Sequence, residues 1–397
     1  MRYRVHRGEK LSEIGFGCYA LSGAYGQKDP EQFVALVRRA YDLGVTLFDT
    51  ADIYGPAEEV LGRAVAPFRD QVWIASKVGW GAAHRPDCSP GHVRASCEAS
   101  LQRLGTDHLD LYQIHFHDAD TPVEETVRAL EDLKSTGKIR YYGLGHLPPD
   151  RMAEYMAAGQ VFSALTELSA VARGALERHV PLCRDHGVGV IAFSVTGRGL
   201  LTGKIGPGHT FEEGDIRRID PLFQRERLAS GLRVLQKLKA LGARYGRTPV
   251  QVAIAWVLAQ PQIVCALTGP STVAHLEENV GGSGWTLEAE DLAALERFFA
   301  EESDRLRREQ VLSLQSILTG TLEPESAFAD LVYALETLAE MDLAPEEEIM
   351  PVYGMLMPLR KRPGTELLEA LQGIQARLRE RFLSILSAEP IPESDVH

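Results

Sequence analysis

The sequence predicts an α/β chain, a (β/α)8 (TIM) barrel over residues 1–300 followed by an all-α C-terminal region. Three observations carry this expectation. Eight short, almost continuous apolar runs recur along the first 300 residues, amphipathic segments separate them, and no strand-like run returns beyond residue 303. Continuous apolar runs suit parallel strands buried on both faces. Eight alternations of strand and helix favour a closed barrel over an open sheet.

The strands are expected at 14–19, 45–50, 71–77, 109–115, 139–145, 162–168, 187–194 and 263–268. Segment 32–43 puts Phe33, Leu36, Val37, Ala40 and Leu43 on one helical side, and segment 91–104 does the same with Val93, Cys97, Leu101 and Leu104. Two extra helices are expected near 248–260 and 287–300, outside the simple alternation. In the tail, Val311, Leu314, Ile317 and Leu318 mark one helix, and Phe328, Leu331, Val332, Leu335 and Leu338 mark another. Pro345 with Glu346, Glu347 and Glu348 reads as a helix start, since proline suits the first turn and carboxylates suit the positive dipole end. Those glutamates read as a solvated face. Gly364-Thr365 opens a final helix carrying Leu368, Leu371, Ile374, Leu378 and Phe382. The expected division is a barrel at 1–300, an acidic helical bundle at 303–389 and a frayed tail at 390–397.

Composition narrows the function. The 397 residues are 45% hydrophobic and 24% charged, as in a soluble globular protein, which excludes collagen, rod and wholly disordered chains. The net charge is −13, and residues 301–397 hold 19 acidic against 9 basic side chains. The first 300 residues are therefore near neutral, with no basic field to gather nucleic acid or anionic lipid. Cys18, Cys88, Cys97, Cys183 and Cys265 are scattered without a CxxC spacing. That argues against disulfides and zinc, and fits a reducing cytoplasm. The N-terminus lacks the apolar core of a signal peptide. The uncharged stretch 250–274 is long enough for a membrane span, but Pro261 divides it into a helix and a strand.

In such barrels the chemistry gathers at the C-terminal strand ends and the loops after them. Asp49 closes the second strand and Tyr54 follows five residues later; Lys77 closes the third and His115 the fourth. An apolar strand has no packing need for these four. His115, His117, Asp118 and His146 match no metal-binding spacing, so no metal is expected. Tyr19, Tyr25, Trp80 and Phe116 follow strand ends and are candidates, with His146, for a substrate pocket. Gly15-Phe16-Gly17 fits a loose G-x-G-x-x-A pattern with Ala20, yet no helix opens there, so it reads as first barrel strand. Segment 197–204 is one residue too long for a P-loop.

The chain resembles the aldo-keto reductase superfamily. The resemblance rests on Gly15-Phe16-Gly17, FDTADIYG at 48–55, SK at 76–77, SLQRLGTDHLDLYQIH at 100–115, GRGLLTGK at 197–204 and HLEEN at 275–279. It implies a catalytic tetrad of Asp49, Tyr54, Lys77 and His115, and hydride transfer between a nicotinamide cofactor and a small carbonyl or alcohol substrate. The residue types suit that reaction. Hydride delivered to a carbonyl carbon leaves an alkoxide that an acid must protonate. Tyr54 would be that acid/base, with the Lys77 ammonium expected to lower its pKa from about 10, Asp49 holding the lysine and His115 orienting the carbonyl.

The resemblance also implies the cofactor contacts. Phe193 stands where an aromatic stacks on nicotinamide, and Ser194, Gly197, Gly199 and Leu200 belong to the loop along the pyrophosphate. Gly269, Ser271, His275, Glu278 and Asn279 fall on the adenosine side. Departures are visible too. Gly145 and His146 replace the family's Ser-Asn pair for the carboxamide, and Leu165 replaces its glutamine. Asn279 is the sole asparagine of the chain, so no other can substitute. Gly269 and His275 stand where Lys and Arg commonly meet a 2′-phosphate, which leaves NADP slightly favoured by resemblance and NAD credible. Two other functions stay open at this point. One is a non-redox dehydratase or isomerase on the same barrel; the other is a binding or regulatory barrel with the tail as interaction module. The C-terminal helices are also candidates for a homo-oligomer or protein-partner contact.

Overall fold

The computed structural model describes residues 1–81, 85–145, 147–324, 326–341, 343–344, 346–356, 358–359 and 364–388. Ten strands are described. β1 (Tyr3–His6) and β2 (Glu9–Ser12) form an antiparallel hairpin. The other eight are β3 (Ile14–Gly17), β4 (Leu47–Asp49), β5 (Trp73–Val78), β6 (Leu109–Ile114), β7 (Ile139–Leu144), β8 (Ser163–Glu167), β9 (Gly189–Phe193) and β10 (Ile263–Thr268). They close a parallel barrel in the order β10-β3-β4-β5-β6-β7-β8-β9. Every expected strand is present, trimmed by a residue or two at most edges.

Helices follow each barrel strand: α1 (Pro30–Asp42), α2 (Ala57–Val65), α3 (Pro90–Leu104), α4 (Val123–Ser135), α5 (Pro149–Ala158), α6 (His179–Asp185), α7 (Arg225–Tyr245), α8 (Pro249–Ala259) and α9 (Val273–Val280). Their starts are written locally. Asp29 caps α1 by accepting from the amides of Glu31 and Gln32, Ser89 caps α3, and Thr248 with Gln251 forms a capping box on α8. A proline follows each of these caps, where its missing N–H costs nothing.

Strand pleat explains how the site is built. Alternate residues share a face, and Leu47, Trp73, Ala75, Leu111, Leu165, Ile191 and Cys265 fill the barrel interior as one apolar cluster. Two residues beyond Leu47, Ala75, Leu111 and Leu165, the same face carries Asp49, Lys77, Gln113 and Glu167, while on β9 and β10 it continues apolar with Phe193 and Leu267. On β4, β5, β6 and β8 the interior thus changes from apolar to polar within one step of the pleat.

The chain folds into two compact units: Met1–Ile205 with Leu235–Asp291, and Gly206–Val234 with everything from Leu292 onward. The second unit therefore includes a segment the sequence reading left inside the barrel domain. Arg225 donates to Asp330 at 2.8 Å, Arg233 pairs with Glu302 and Glu309 at 2.5 and 3.1 Å, and Tyr333 bonds Glu226. The helix expected at 287–300 and the one bearing Val311 to Leu318 are a single helix, α10 (Ala289–Thr319). Then come α11 (Ala327–Glu340), α12 (Glu346–Leu356) and α13 (Gly364–Ala388). The expected stripes do face one core: Leu314, Leu318, Leu331, Leu335, Leu338, Leu371, Leu378 and Phe382 are buried together. Pro345 and the tail 390–397 lie outside the described residues. Among the described residues, no helix is long and apolar enough to cross a membrane.

Candidate active site

Asp49, Tyr54, Lys77 and His115 come together at the C-terminal mouth of the barrel. Lys77 Nζ donates to Asp49 Oδ1 at 2.6 Å and to the Thr50 carbonyl at 2.7 Å. Gln113, level with Lys77 in the β5–β6 ladder, donates from Nε2 to Asp49 Oδ2 at 3.2 Å. The ammonium lies 4.8 Å from the Tyr54 ring centroid, and its charge favours the phenolate. The Tyr54 and His115 rings meet edge to face, 5.9 Å between centroids.

The electrostatics follow from burial set against one ion pair. Burial works against the Lys77 ammonium, but Asp49 and Tyr54 outweigh it and its pKa rises. Burial pushes the Asp49 carboxyl upward, opposed by Lys77 and Gln113. For Tyr54 the expectation needs correcting. Lys77 pulls the phenol down as anticipated, yet burial is the larger influence and the net pKa lies above the ordinary value. His115 is held to about 3 by burial and then by the Lys77 charge, so the imidazole is neutral at physiological pH. Among the described residues its Nδ1 is buried without a hydrogen-bond partner. Two residues before Tyr54, Asp52 is raised to about 6 by burial and by nearby Glu58, and among the described residues its Oδ1 is buried without a hydrogen-bond partner.

Aromatic side chains flank the group on both sides. Tyr19 meets Tyr54 at 5.1 Å and Tyr25 meets Tyr19 at 5.7 Å. On the other side Phe116 lies 4.3 Å from His115, and Trp80 lies 5.1 Å from Phe116. Tyr25, Trp80 and Phe116 thus stand around the tetrad; His146 lies outside the described residues.

The expected cofactor residues cluster at the ends of β9 and β10. Phe193 closes β9, and the loop after it turns sharply. Ser194, Gly197, Arg198, Gly199 and Gly203 all have positive φ, between 52 and 95°. Amides of Gly197 and Leu200 donate to Ser194 O and Gly197 O at 2.7 and 2.9 Å, closing turns inside the loop. Gly269 follows β10 with open space beside its Cα, where the nearest atom to an added Cβ is 3.8 Å away. Ser271 Oγ lies 3.4 Å from His275 Nδ1, while Lys204 Nζ bonds His275 Nε2. Glu278 and Asn279 continue on α9, Asn279 being buried. The sequence reading missed four residues. Thr50 and Gln113 complete the Asp49–Lys77 pair, Glu167 bonds Arg198 at 2.9 Å, and Lys204 supplies a cation beside His275. Lys204 had a visible signal, since it ends the GRGLLTGK motif.

The aldo/keto reductase family model matches residues 13–299. The chain belongs to the aldo/keto reductase family. A curated relative, probable aldo-keto reductase 1 of Glycine max, is 35% identical over 294 residues, 72% of this chain and 85% of that protein. Among solved structures, glycerol dehydrogenase AKR11B4 from Gluconobacter oxydans has a TM-score of 0.70 and 29% identity, over 76% of this chain and 95% of that one. Aldo-keto reductase AKR11C1 from Bacillus halodurans, in its holo form, has a TM-score of 0.64 and 27% identity, over 75% and 96% of the two chains. This aldo-keto reductase is an NAD(P)-dependent oxidoreductase. Its helices beyond residue 299 lie outside the family match.

Proposed function

We propose that this aldo-keto reductase transfers a hydride between NAD(P)H and a small carbonyl substrate, with Tyr54 as the acid that protonates the carbonyl oxygen. The observation that carries the reading is the buried Asp49–Lys77 ion pair with its ammonium 4.8 Å from the Tyr54 ring. The cofactor supplies the hydride. The chain's own residues handle the proton. The raised pKa keeps Tyr54 protonated at neutral pH, as a donor in the reducing direction requires. The neighbouring ammonium favours the phenolate that donation leaves behind, and Asp49 with Thr50 O fixes that ammonium in place. Neutral His115 supplies a second polar contact for the carbonyl oxygen.

The residues fit a dinucleotide on the phosphate side. Five residues of positive φ turn the loop after β9 sharply, and Lys204, His275 and Ser271 offer a cation and polar groups near the start of α9. Lys204 supports NADP over NAD, making up for the missing Lys and Arg at positions 269 and 275. Tyr25, Trp80 and Phe116 would wall the substrate.

Parallel titrations of wild type and Tyr54→Phe with NADH and NADPH test the reading. Both proteins should bind cofactor, NADPH more tightly, while turnover of a carbonyl substrate falls about 10²–10⁴-fold in the variant. Wild type without dinucleotide binding, or turnover that needs no NAD(P)H, would overturn it.

A further inference from the structure

The apolar and polar halves of the barrel interior raise a specific question at the nicotinamide end. Of the three positions expected to read the ring's carboxamide, Gly145 and Leu165 carry no polar side chain and His146 lies outside the described residues. At Gly145 the backbone leaves no room for one, because an added Cβ would sit 2.6 Å from Ile114 O and 3.0 Å from His115 O. The Gly145 amide donates to that same Ile114 carbonyl at 2.6 Å, so β7 ends pressed backbone to backbone on β6. Leu165 is buried in the apolar cluster with Leu111, Ile191 and Cys265.

The next residue on the Leu165 face is two positions on, and it is Glu167. Glu167 lies opposite Phe193 in the β8–β9 ladder. Arg198 returns from the loop after β9 and donates from one terminal guanidinium nitrogen to both Glu167 oxygens, at 2.9 and 3.2 Å. Each side chain keeps about a quarter of its surface exposed (25% and 27%), so the pair meets the mouth of the barrel. Arg198 has a φ of 52°, a conformation that bulky residues avoid, which the neighbouring turns hold.

We propose that Glu167 and Arg198 recognise the nicotinamide carboxamide in this protein. The carboxylate accepts from the amide NH2, and the guanidinium donates to the amide carbonyl, giving one acceptor and one donor for a planar group that needs both. The inference rests on the NAD(P) reading above.

Binding measured by calorimetry on the full chain tests it, with NADPH and with 2′-phospho-ADP-ribose, which has the same phosphates but no nicotinamide. Glu167→Leu and Arg198→Met should each weaken NADPH at least tenfold and change 2′-phospho-ADP-ribose less than twofold. Glu167→Gln, which keeps an acceptor oxygen, should recover part of the loss. Wild type should prefer NAD over its 3-acetylpyridine analogue, which lacks the amide N–H groups, and Glu167→Leu should lose that preference. Equal weakening of both ligands would overturn the proposal, since the pair would then act only by shaping the loop. No weakening of either would overturn it too. If wild type binds neither ligand, the cofactor reading itself falls and takes this inference with it.

Discussion

Lys77 Nζ lies 2.6 Å from Asp49 Oδ1, with the lysine wholly buried and the aspartate 4% exposed. A dry ion pair of this kind matters most when it is broken. Lys77→Met leaves a carboxylate stranded in the barrel and should cost about 3–5 kcal/mol in urea unfolding. The double variant Lys77→Met/Asp49→Leu should recover most of that loss, because two apolar groups need no partner, while turnover stays absent. A single variant as stable as wild type would show that water reaches the pair.

His115 makes folding acid-sensitive. Its folded pKa is about 3, below the ordinary 6.5 of an unfolded chain. As pH falls from 6.5 toward 3 the unfolded state takes up a proton and the folded state does not. The stabilisation is therefore complete above about pH 6.5 and is lost progressively toward pH 3, up to about 4–5 kcal/mol. Comparing unfolding free energies of wild type and His115→Gln over this range should give a difference that shrinks toward low pH. A constant difference would place the histidine in a wetter setting.

Asp52 acts with the opposite sign. Its folded pKa of about 6 exceeds the usual 3.8, so the cost of ionising it in the fold grows as pH rises from about 3.8 to 6 and is constant above. Asp52→Asn should therefore stabilise the protein by up to about 3 kcal/mol at pH 8 and by little at pH 4. Thermal melts at the two pH values check this, and equal shifts at both would refute it.

Much of the architecture could be read from the chain because parallel strands are covered on both sides. Runs such as 139–145 and 263–268 admit few polar residues, and the eye finds them. The hairpin β1–β2 was missed for the converse reason, since Arg4, His6, Glu9 and Lys10 break any apolar run in a ribbon with one wet side. Helix α10 reads as two because its charged middle, 301–310, conceals the continuity between two apolar stripes. At the candidate site, Asp49, Lys77 and His115 stood out as polar groups ending apolar strands. Glu167 did not, because it ends its strand as an ordinary charged residue would. Only the parity of the pleat, counted from Leu165, points it inward. Thr50 contributes a backbone carbonyl, which no side-chain pattern could announce.

The second compact unit draws on two stretches separated by more than fifty residues of barrel sequence. Asp330, Tyr333 and Glu309 complete the bonding of Arg225, Glu226 and Arg233. Cutting the chain at residue 303 would thus not trim an appendage but divide this unit, leaving Arg225 without Asp330, Glu226 without Tyr333 and Arg233 with Glu302 alone. Whatever the helices do is better probed by altering single outward-facing side chains than with scissors.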